Sequence, residues 1–392
     1  MPKRGLDEST PSSTQPYDTQ DTAARKRAKR EQQAQHGQEP DRAKQTLQDP
    51  SLLHIKDPLR APTVLAARHY FKGLGVSLHV HLGPKEGWRT EAKLAVRAGP
   101  DGPQIGLFAP GTHEVVRLNS CPAHHPAINH ALGLVEQACS SAGVRGFDEQ
   151  RHEGDLRYLK FDVQRSSEKV QLTLVWHAAS EEEAGAPLRR LVKRLLKAPV
   201  WYSIWANFNP AARHVSRIME HELEAWKLLA GPKRTLREQL TTCEVPYEAP
   251  QLCFPPYVFR QANLSAFEAI VTAVRRFVPK GSRVVELYGG VGTIGLHLAD
   301  LVSSLVCSDE NPRNQFCFRR SVRRLPEELQ GRLSYQQGDA ASQVASLASA
   351  ELVIVDPPRK GLDEAVVRAL LPAQAASGRG RGRGCHGAAQ RP

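Results

Sequence analysis

Apolar residues follow two different spacings along the chain. Between residues 61 and 250 they fall in short strand-like runs, and the first run alternates between an apolar and a polar face. The runs are Trp88–Arg97, Arg157–Gln164, Val170–Trp176 and Val200–Trp205. Before the last run, leucines at every third or fourth position indicate an amphipathic helix. Residues 61–250 are therefore predicted to form an α+β domain with mostly antiparallel strands.

The outer faces of these elements are basic. In the first run, alternation places Arg89, Lys93 and Arg97 opposite the apolar face, and the predicted helix carries a further row of Arg and Lys. A basic face is often plain solvent surface, but several on one domain favour a nucleic acid partner. We therefore expect Arg89 and Lys93 to contact a nucleic acid.

Residues 251–371 show the second spacing, in which short buried strands alternate with helices. Val284, Val285 and Leu287 form one apolar run, and later runs end at Asp309, near Gln336 and at Val355. Each run ends in a polar turn. This alternation predicts an α/β domain with a doubly wound parallel sheet.

The turn after the first of these strands is rich in glycine. Glycines let the backbone approach a ligand closely, and the helix that follows presents unpaired N–H groups. The spacing Gly290-x-Gly292-x-x-Gly295 fits a dinucleotide site, a cofactor loop of another kind, or a turn that only packs a helix on a sheet.

Acidic residues stand at the ends of neighbouring strands. Glu286 precedes the glycines, where we expect it to face a cationic or hydroxylated ligand rather than a pyrophosphate. Asp309 ends the next apolar run and suits a ribose diol. With the glycine turn, these acids resemble the S-adenosylmethionine site of Rossmann-like methyltransferases; an NAD-binding domain is the alternative.

The most specific motif is Asp356-Pro-Pro-Arg-Lys-Gly361, which directly follows an apolar run. Two consecutive prolines stiffen the turn and hold Asp356 at the carboxyl edge of the sheet, where ligands bind in open α/β sheets. Arg359 is then placed to contact phosphate. The alternative is a structural turn that happens to carry an acid.

The composition indicates the net charge of the protein and the redox state of its cysteines. The 392 residues carry 53 Lys+Arg and 41 Asp+Glu, a formal net charge of +12 that suits a polyanionic partner. Seven scattered cysteines without Cys-x-x-Cys argue against a disulfide framework, a zinc site or an iron–sulfur cluster. No apolar run approaches the ~20 residues of a membrane span. We expect a soluble intracellular monomer without a metal.

The two ends are low in apolar residues. Residues 1–60 are polar and basic and are predicted to be disordered. Within them, the basic cluster Arg25–Arg30 suits a nuclear localisation signal, an arm that contacts RNA, or a solvated run of charges. Localisation to an organelle is a further alternative. Residues 372–392 form a low-complexity Gly/Arg tail.

Taken in order, the motifs resemble the RNA uracil-C5 methyltransferase family, the bacterial 23S rRNA and tRNA 5-methyluridine enzymes. The motifs are Phe259-x-Gln261-x-Asn263, Glu286-Leu-Tyr-Gly-Gly-x-Gly292, Asp309, Asp339 and Asp356-Pro-Pro-Arg-x-Gly361. The central domain adds Trp88-Arg-Thr-Glu-Ala-Lys-Leu and Ser203-Ile-Trp-Ala-Asn-Phe-Asn209. The resemblance spans residues 65–371.

The resemblance implies S-adenosyl-L-methionine as cofactor and rRNA or tRNA as substrate. The residues it implies for cofactor binding are Gln261, Tyr288, Gly290, Gly292, Thr293, Asp309, Asp339 and Asp356. Asp309 would accept from the ribose hydroxyls, Tyr288 would pack on the cofactor, and Asp339 would meet the adenine amine.

The resemblance also implies a cysteine that adds to C6 of uracil and a carboxylate that removes the C5 proton. The family's Ser-Cys-Asn-Pro turn does not follow Leu371 in this sequence, and Cys385 lies in the Gly/Arg tail without a strand to position it. The catalytic residues are therefore unassigned, and we interpret the chain as a C-terminally truncated member. The alternative is a catalytically inactive RNA- or cofactor-binding protein on the same scaffold.

Overall fold

A computed structural model describes residues 53–118, 120–211, 218–220, 222–232 and 235–371. The predictions for Arg25–Arg30 and for Cys385 lie outside the described residues. Pro58–Arg60 form a 3-10 helix within the stretch predicted as a tail, and helix α1 (Pro62–Gly73) follows.

The larger of two main sheets has seven strands in the order β3-β2-β1-β4-β5-β6-β7. They are β1 (Glu91–Gly99), β2 (Gly102–Phe108), β3 (Val115–Arg117), β4 (Leu156–Val163), β5 (Val170–Trp176), β6 (Trp201–Phe208) and β7 (Trp226–Ala230). Helices α2 (Pro126–Ala142) and α3 (Glu181–Leu195) pack against its apolar face. The predicted mostly antiparallel sheet is confirmed. Among these seven strands only β5 and β6 pair in parallel, because α3 crosses over between them.

The basic face predicted for β1 is not solvent surface along its whole length. Arg97 is buried, with its guanidinium 5.0 Å from the ring of Phe108 and 4.9 Å from that of Tyr158, and it pairs with Glu149. A second apolar cluster covers this face of the sheet. The prediction is therefore wrong at Arg97, whereas Lys93 is exposed. The alternation of apolar and polar residues shows which side chains share a face of the strand, but not which other parts of the protein cover that face.

The smaller sheet has four parallel strands in the order β12-β11-β10-β13. Strands β8 (Leu236–Glu238) and β9 (Leu252–Phe254) form a separate pair, and the parallel strands are β10 (Ser282–Leu287), β11 (Val302–Asp309), β12 (Leu333–Gln337) and β13 (Leu352–Val355). The helices are α4 (Leu264–Phe277), α5 (Thr293–Leu296), α6 (Pro312–Val322), α7 (Glu327–Gln330), α8 (Val344–Leu347) and α9 (Glu364–Leu370).

Helices cover both faces of this sheet. Side chains of α4 and α6 join the apolar cluster on one face, and those of α8 and α9 join the cluster on the other. The predicted doubly wound α/β architecture is therefore confirmed. The helix after the glycine turn is shorter than expected, since α5 has only one turn.

Buried ion pairs connect the two main sheets. Arg165, which follows β4, lies 3.0 Å from Glu238 at the end of β8 and 3.1 Å from Glu268 on α4. Glu238 also pairs with Arg260 at 3.0 Å, in the segment that leads to α4. Because both acids are almost fully buried and both are paired, these contacts fix the elements relative to one another.

Candidate cofactor site

The carboxyl ends of the parallel strands bring several acids to one edge. The register pairs Leu287 with Val355, and it pairs Asp309 with Gln337. Asp356 directly follows Val355. The acids predicted from separate stretches of sequence therefore meet at the same edge of the sheet, where open α/β folds bind ligands.

The glycine turn is held by hydrogen bonds to residues of β11 and β12. The N–H of Gly290 donates to Oδ2 of Asp309 at 3.0 Å, and the hydroxyl of Tyr335 donates to the carbonyl of Gly290 at 2.9 Å. Gly290 has φ +56°, and a Cβ built there would meet nothing within 4 Å in the part of the chain that the structure describes. Gly292 has φ +79°, and its Cβ would lie 2.3 Å from the ring of Phe318. The space beside Gly290 is therefore open to a ligand, whereas the space beside Gly292 is occupied by the ring of Phe318.

Asp309 is fixed by three hydrogen bonds. Besides the bond from Gly290, its Oδ1 accepts from the N–H of Asn311 at 2.9 Å and from Nδ2 of Asn314 at 3.0 Å. A carboxylate offers about four acceptor positions, so one stays open on Oδ2. An acceptor held this rigidly suits the hydroxyls of a ribose.

Glu286 lies beneath the glycine turn. Its side chain is 2% exposed, and its Oε2 accepts from the N–H of Gly295 at 3.1 Å. Burial raises the pKa of its carboxyl to about 8, with smaller contributions from the charges of Asp356 and Asp309. The prediction that Glu286 faces a ligand is therefore wrong, because its side chain is enclosed against Gly289 and Gly295.

Two further acids keep oxygens that the protein does not use. Asp356 is exposed and has no hydrogen-bond or ion-pair partner among the described residues, and partial burial raises the pKa of its carboxyl. Asp339 is exposed in the turn after β12, where its Oδ1 accepts from the N–H of Ser342 at 2.7 Å. Both carboxylates can accept hydrogen bonds from a ligand.

Tyr288 connects the glycine turn with the turn that carries Asp356. Its φ of +57° is unusual for a residue with a side chain. The hydroxyl donates to Oδ2 of Asp363 at 3.1 Å and accepts from the N–H of Asp363 at 3.3 Å. Thr293 is half-buried at the start of α5. These contacts fix two of the sequence motifs relative to each other.

The remaining predicted residues are not joined to this edge by contacts within the part of the chain that the structure describes. Gln261 is half-buried between β9 and α4, and the next-but-one residue, Asn263, bridges to Arg89 of the larger sheet. The structure thus brings the segments of Gln261 and Arg89 together. Lys93 and Arg359 are both exposed.

Three supporting residues were missed in the sequence. Tyr335 and Asn314 hold the glycine turn and Asp309, and Asp363 holds Tyr288. Asn314 carried a signal, since an amide in the first turn after a strand-end acid often caps it. Tyr335 carried none, because nothing local distinguishes it from a core aromatic.

The six cysteines within the described ranges are all buried. Burial raises the pKa of Cys139, Cys243 and Cys317 to about 12, which disfavours the thiolate that a nucleophile requires. Across the same ranges, no three His, Cys, Asp or Glu side chains come together as metal ligands. No described helix combines the length and the apolarity needed to cross a membrane.

Comparison with known proteins identifies relatives along most of the described chain. No protein-family model matches. An uncharacterised RNA methyltransferase of Protochlamydia amoebophila is 34% identical over 295 residues, which cover 74% of each chain. A 23S rRNA (uracil(747)-C(5))-methyltransferase of Shewanella loihica is 24% identical over 327 residues, 82% of each chain. Further RNA methyltransferases are matched over 55% to 68% of their own length.

A solved structure shares the fold. The tRNA (uracil-54, C5)-methyltransferase of Pyrococcus abyssi, in complex with S-adenosyl-L-homocysteine, aligns with a TM-score of 0.58 and 23% identity. The alignment covers 76% of this chain and 66% of that one. None of these relatives supports the alternative of a non-enzymatic scaffold. The chain belongs to the family of RNA methyltransferases that includes the RNA uracil-C5 methyltransferases.

Proposed function

We propose that this protein is an S-adenosyl-L-methionine-dependent RNA methyltransferase that forms 5-methyluridine in rRNA or tRNA. The observation that carries the proposal is the sheet edge at which the glycine turn, Asp309 and Asp356 meet, in a chain that belongs to an RNA methyltransferase family. Two relatives are named for the C5 position of uracil, and one of them was solved with S-adenosyl-L-homocysteine.

The acceptors at this edge fit the donors of S-adenosyl-L-methionine. Asp309 has one acceptor position directed away from its three protein partners, and it would bind the ribose hydroxyls. Asp356 and Asp339 would accept from amino groups, and Tyr288 would pack on the cofactor beside Gly290. When bound, this cofactor supplies a methyl group activated by its sulfonium sulfur.

The same edge is a poor site for a dinucleotide. Three exposed or half-buried carboxylates, Asp309, Asp339 and Asp356, would repel a pyrophosphate. The one-turn helix α5 sums few peptide dipoles, so it gives little attraction for phosphate in return. Both features favour a cofactor that carries positive charge, as a sulfonium does, over NAD.

We infer that one domain binds RNA and the other binds the cofactor. Residues 61–250 would bind RNA, with Arg89 and Lys93 as contacts, and residues 251–371 would bind the cofactor through Gln261 and the strand-end residues. Arg359, three residues after Asp356, would contact an RNA phosphate next to the cofactor. We assign no nucleophile, because the described cysteines are buried.

Methyl transfer to RNA tests the proposal. The protein is incubated with methyl-labelled S-adenosyl-L-methionine and a uridine-containing transcript, and the RNA is digested to nucleosides. We expect label in 5-methyluridine, and no label in a matched transcript made with 5-methyluridine in place of uridine. Label in another nucleoside, or cofactor binding without any transfer, would contradict the proposed reaction.

A further inference from the structure

A cleft of about 550 Å³ lies between the larger sheet and the β8–β9 pair, and it contains none of the candidate cofactor residues. It is bordered by the loop after β4, by β6 and by the β8–β9 pair. Its polar lining includes three glutamines, Gln164, Gln239 and Gln251, and two arginines, Arg165 and Arg237. A cleft of this size and polarity is large enough for a ligand group of nucleotide size.

One wall of the cleft carries no excess positive charge. Arg165 is bonded to both Glu238 and Glu268, so its charge is compensated. On the same side, Gln239 donates to Oε1 of Glu248 at 3.2 Å. An anion would gain little attraction from this wall.

The second arginine of the cleft is different, because Arg237 pairs with no carboxylate in the part of the chain that the structure describes. Its Nη1 donates to Oε1 of Gln251 at 3.0 Å, and its buried Nε has no acceptor among the described residues. The hydroxyl of Ser321 donates to the carbonyl of Gln251 at 2.9 Å, which brings the end of α6 to the cleft. Arg320 and Arg324 flank this contact, and the structure shows no ion pair for either within the described ranges.

The positive charges of Arg320 and Arg324 act on Arg237. Burial, followed by the positive charges of Arg324 and Arg320, lowers the pKa of the Arg237 guanidinium. Like charges held together without carboxylates are costly unless an anion binds between them. Arginine is also the side chain whose donor geometry best matches phosphate.

We propose that Arg237, Arg320 and Arg324 form a second RNA contact, which binds the phosphodiester backbone of the substrate away from the site of methyl transfer. The proposal goes beyond the proposed function and rests on it only in taking RNA as the partner. The amide groups of the cleft would supply further donors to phosphate and sugar oxygens.

Binding of a short fluorescein-labelled single-stranded RNA, followed by anisotropy at several salt concentrations, tests the contact. For the double variant R320Q/R324Q we expect the Kd to rise about tenfold at low salt. The slope of log K against log salt should fall by about 0.7 for each phosphate that the variant no longer neutralises. R237Q should weaken binding similarly, and R237K should keep part of it, because the lysine retains the charge but not the fork of donors.

The matched control is R319Q/R323Q, which removes the same charge from the same stretch of chain, at exposed positions that are not among the charges that lower the pKa of Arg237. We expect it to change the affinity much less. Equal decreases in affinity for the two double variants, or no decrease for either, would overturn the proposal. The proposal would also be overturned if calorimetry showed binding of inorganic phosphate to the parent protein while the affinity for RNA was unchanged in R320Q/R324Q. Calorimetry with S-adenosyl-L-methionine should give the same affinity for all variants, which separates this contact from the cofactor site.

Discussion

The hydroxyl of Tyr288 lies 3.1 Å from Oδ2 of Asp363, so the residue after β10 is bonded to the residue just before α9. These residues are 75 positions apart in the chain. The bond holds the glycine turn and the Asp-Pro-Pro-Arg turn in one arrangement before any ligand is present. A binding edge that is already assembled loses less entropy when it binds.

The variant Y288F removes this bond and keeps the ring. We expect the free energy of unfolding to fall by about 1 kcal/mol, the usual contribution of one hydrogen bond, and the cofactor affinity to fall several-fold. Urea unfolding and calorimetry measure the two effects. Y70F is the control, because Tyr70 is 63% exposed and its hydroxyl has no hydrogen bond within the described ranges. An unchanged stability of Y288F would show that the bond does not hold the two turns together.

Asp356 should affect cofactor binding and leave stability unchanged. Its carboxyl has no partner among the described residues, so D356A should change the free energy of unfolding by less than about 0.5 kcal/mol. Loss of a charged hydrogen bond should weaken the binding of S-adenosyl-L-methionine by about tenfold or more. The exposed Asp101 provides the control variant D101A. Equal affinities for D356A and D101A would remove Asp356 from the site.

Alanine should affect mainly stability at Gly292 and mainly cofactor binding at Gly290. G292A drives a Cβ to 2.3 Å from Phe318 at φ +79°, and we expect a loss of stability of about 2 kcal/mol or more. G290A meets no atom of the described residues, so it should cost only about 1 kcal/mol for its backbone conformation. Its methyl group enters the space proposed for the cofactor, so affinity should fall more than stability. A G290A variant that binds the cofactor normally would place the ligand elsewhere.

Because of Glu286, we expect the free energy of unfolding to decrease as the pH rises. The folded protein holds its pKa at about 8, against an ordinary value of 4.5. Between these values the unfolded chain releases a proton that the folded protein keeps, so raising the pH favours unfolding. The stabilisation is complete below the ordinary value and is lost as the pH rises to the folded value.

The variant E286Q should flatten this dependence. Its amide stays neutral, and its carbonyl can still accept from the N–H of Gly295. We expect the free energy of unfolding to fall less between about pH 5 and about pH 8 than in the parent protein. The exposed Glu328 provides the control E328Q. Parallel curves for the parent and E286Q, measured by urea unfolding, would mean that Glu286 does not titrate as its burial requires.

Much of the architecture could be predicted because parallel strands share one carboxyl edge. The apolar runs predicted β5 residue for residue and the end of β11 at Asp309. Once a parallel sheet is inferred, strand-end acids must meet at one edge. The positions of Asp309 and Asp356 therefore followed from local pattern, whereas Asp339 was implied only by the family resemblance.

The direction and surroundings of individual side chains could not be predicted. Glu286 turns beneath the glycines, and Arg97 is covered by aromatic rings, because tertiary contacts decide which face of a strand is closed. Tyr335 bonds to Gly290 across 45 residues. The spacing of residues within a short stretch of sequence cannot predict a contact between residues so far apart.

Calorimetric titration of the folded protein with S-adenosyl-L-methionine is the most direct test of the central claim, that the carboxyl edge of the parallel sheet binds this cofactor. We predict one binding site per chain, saturated below millimolar cofactor and unaffected by NADH. A protein shown to be folded by circular dichroism that takes up no S-adenosyl-L-methionine at millimolar concentration would contradict the account.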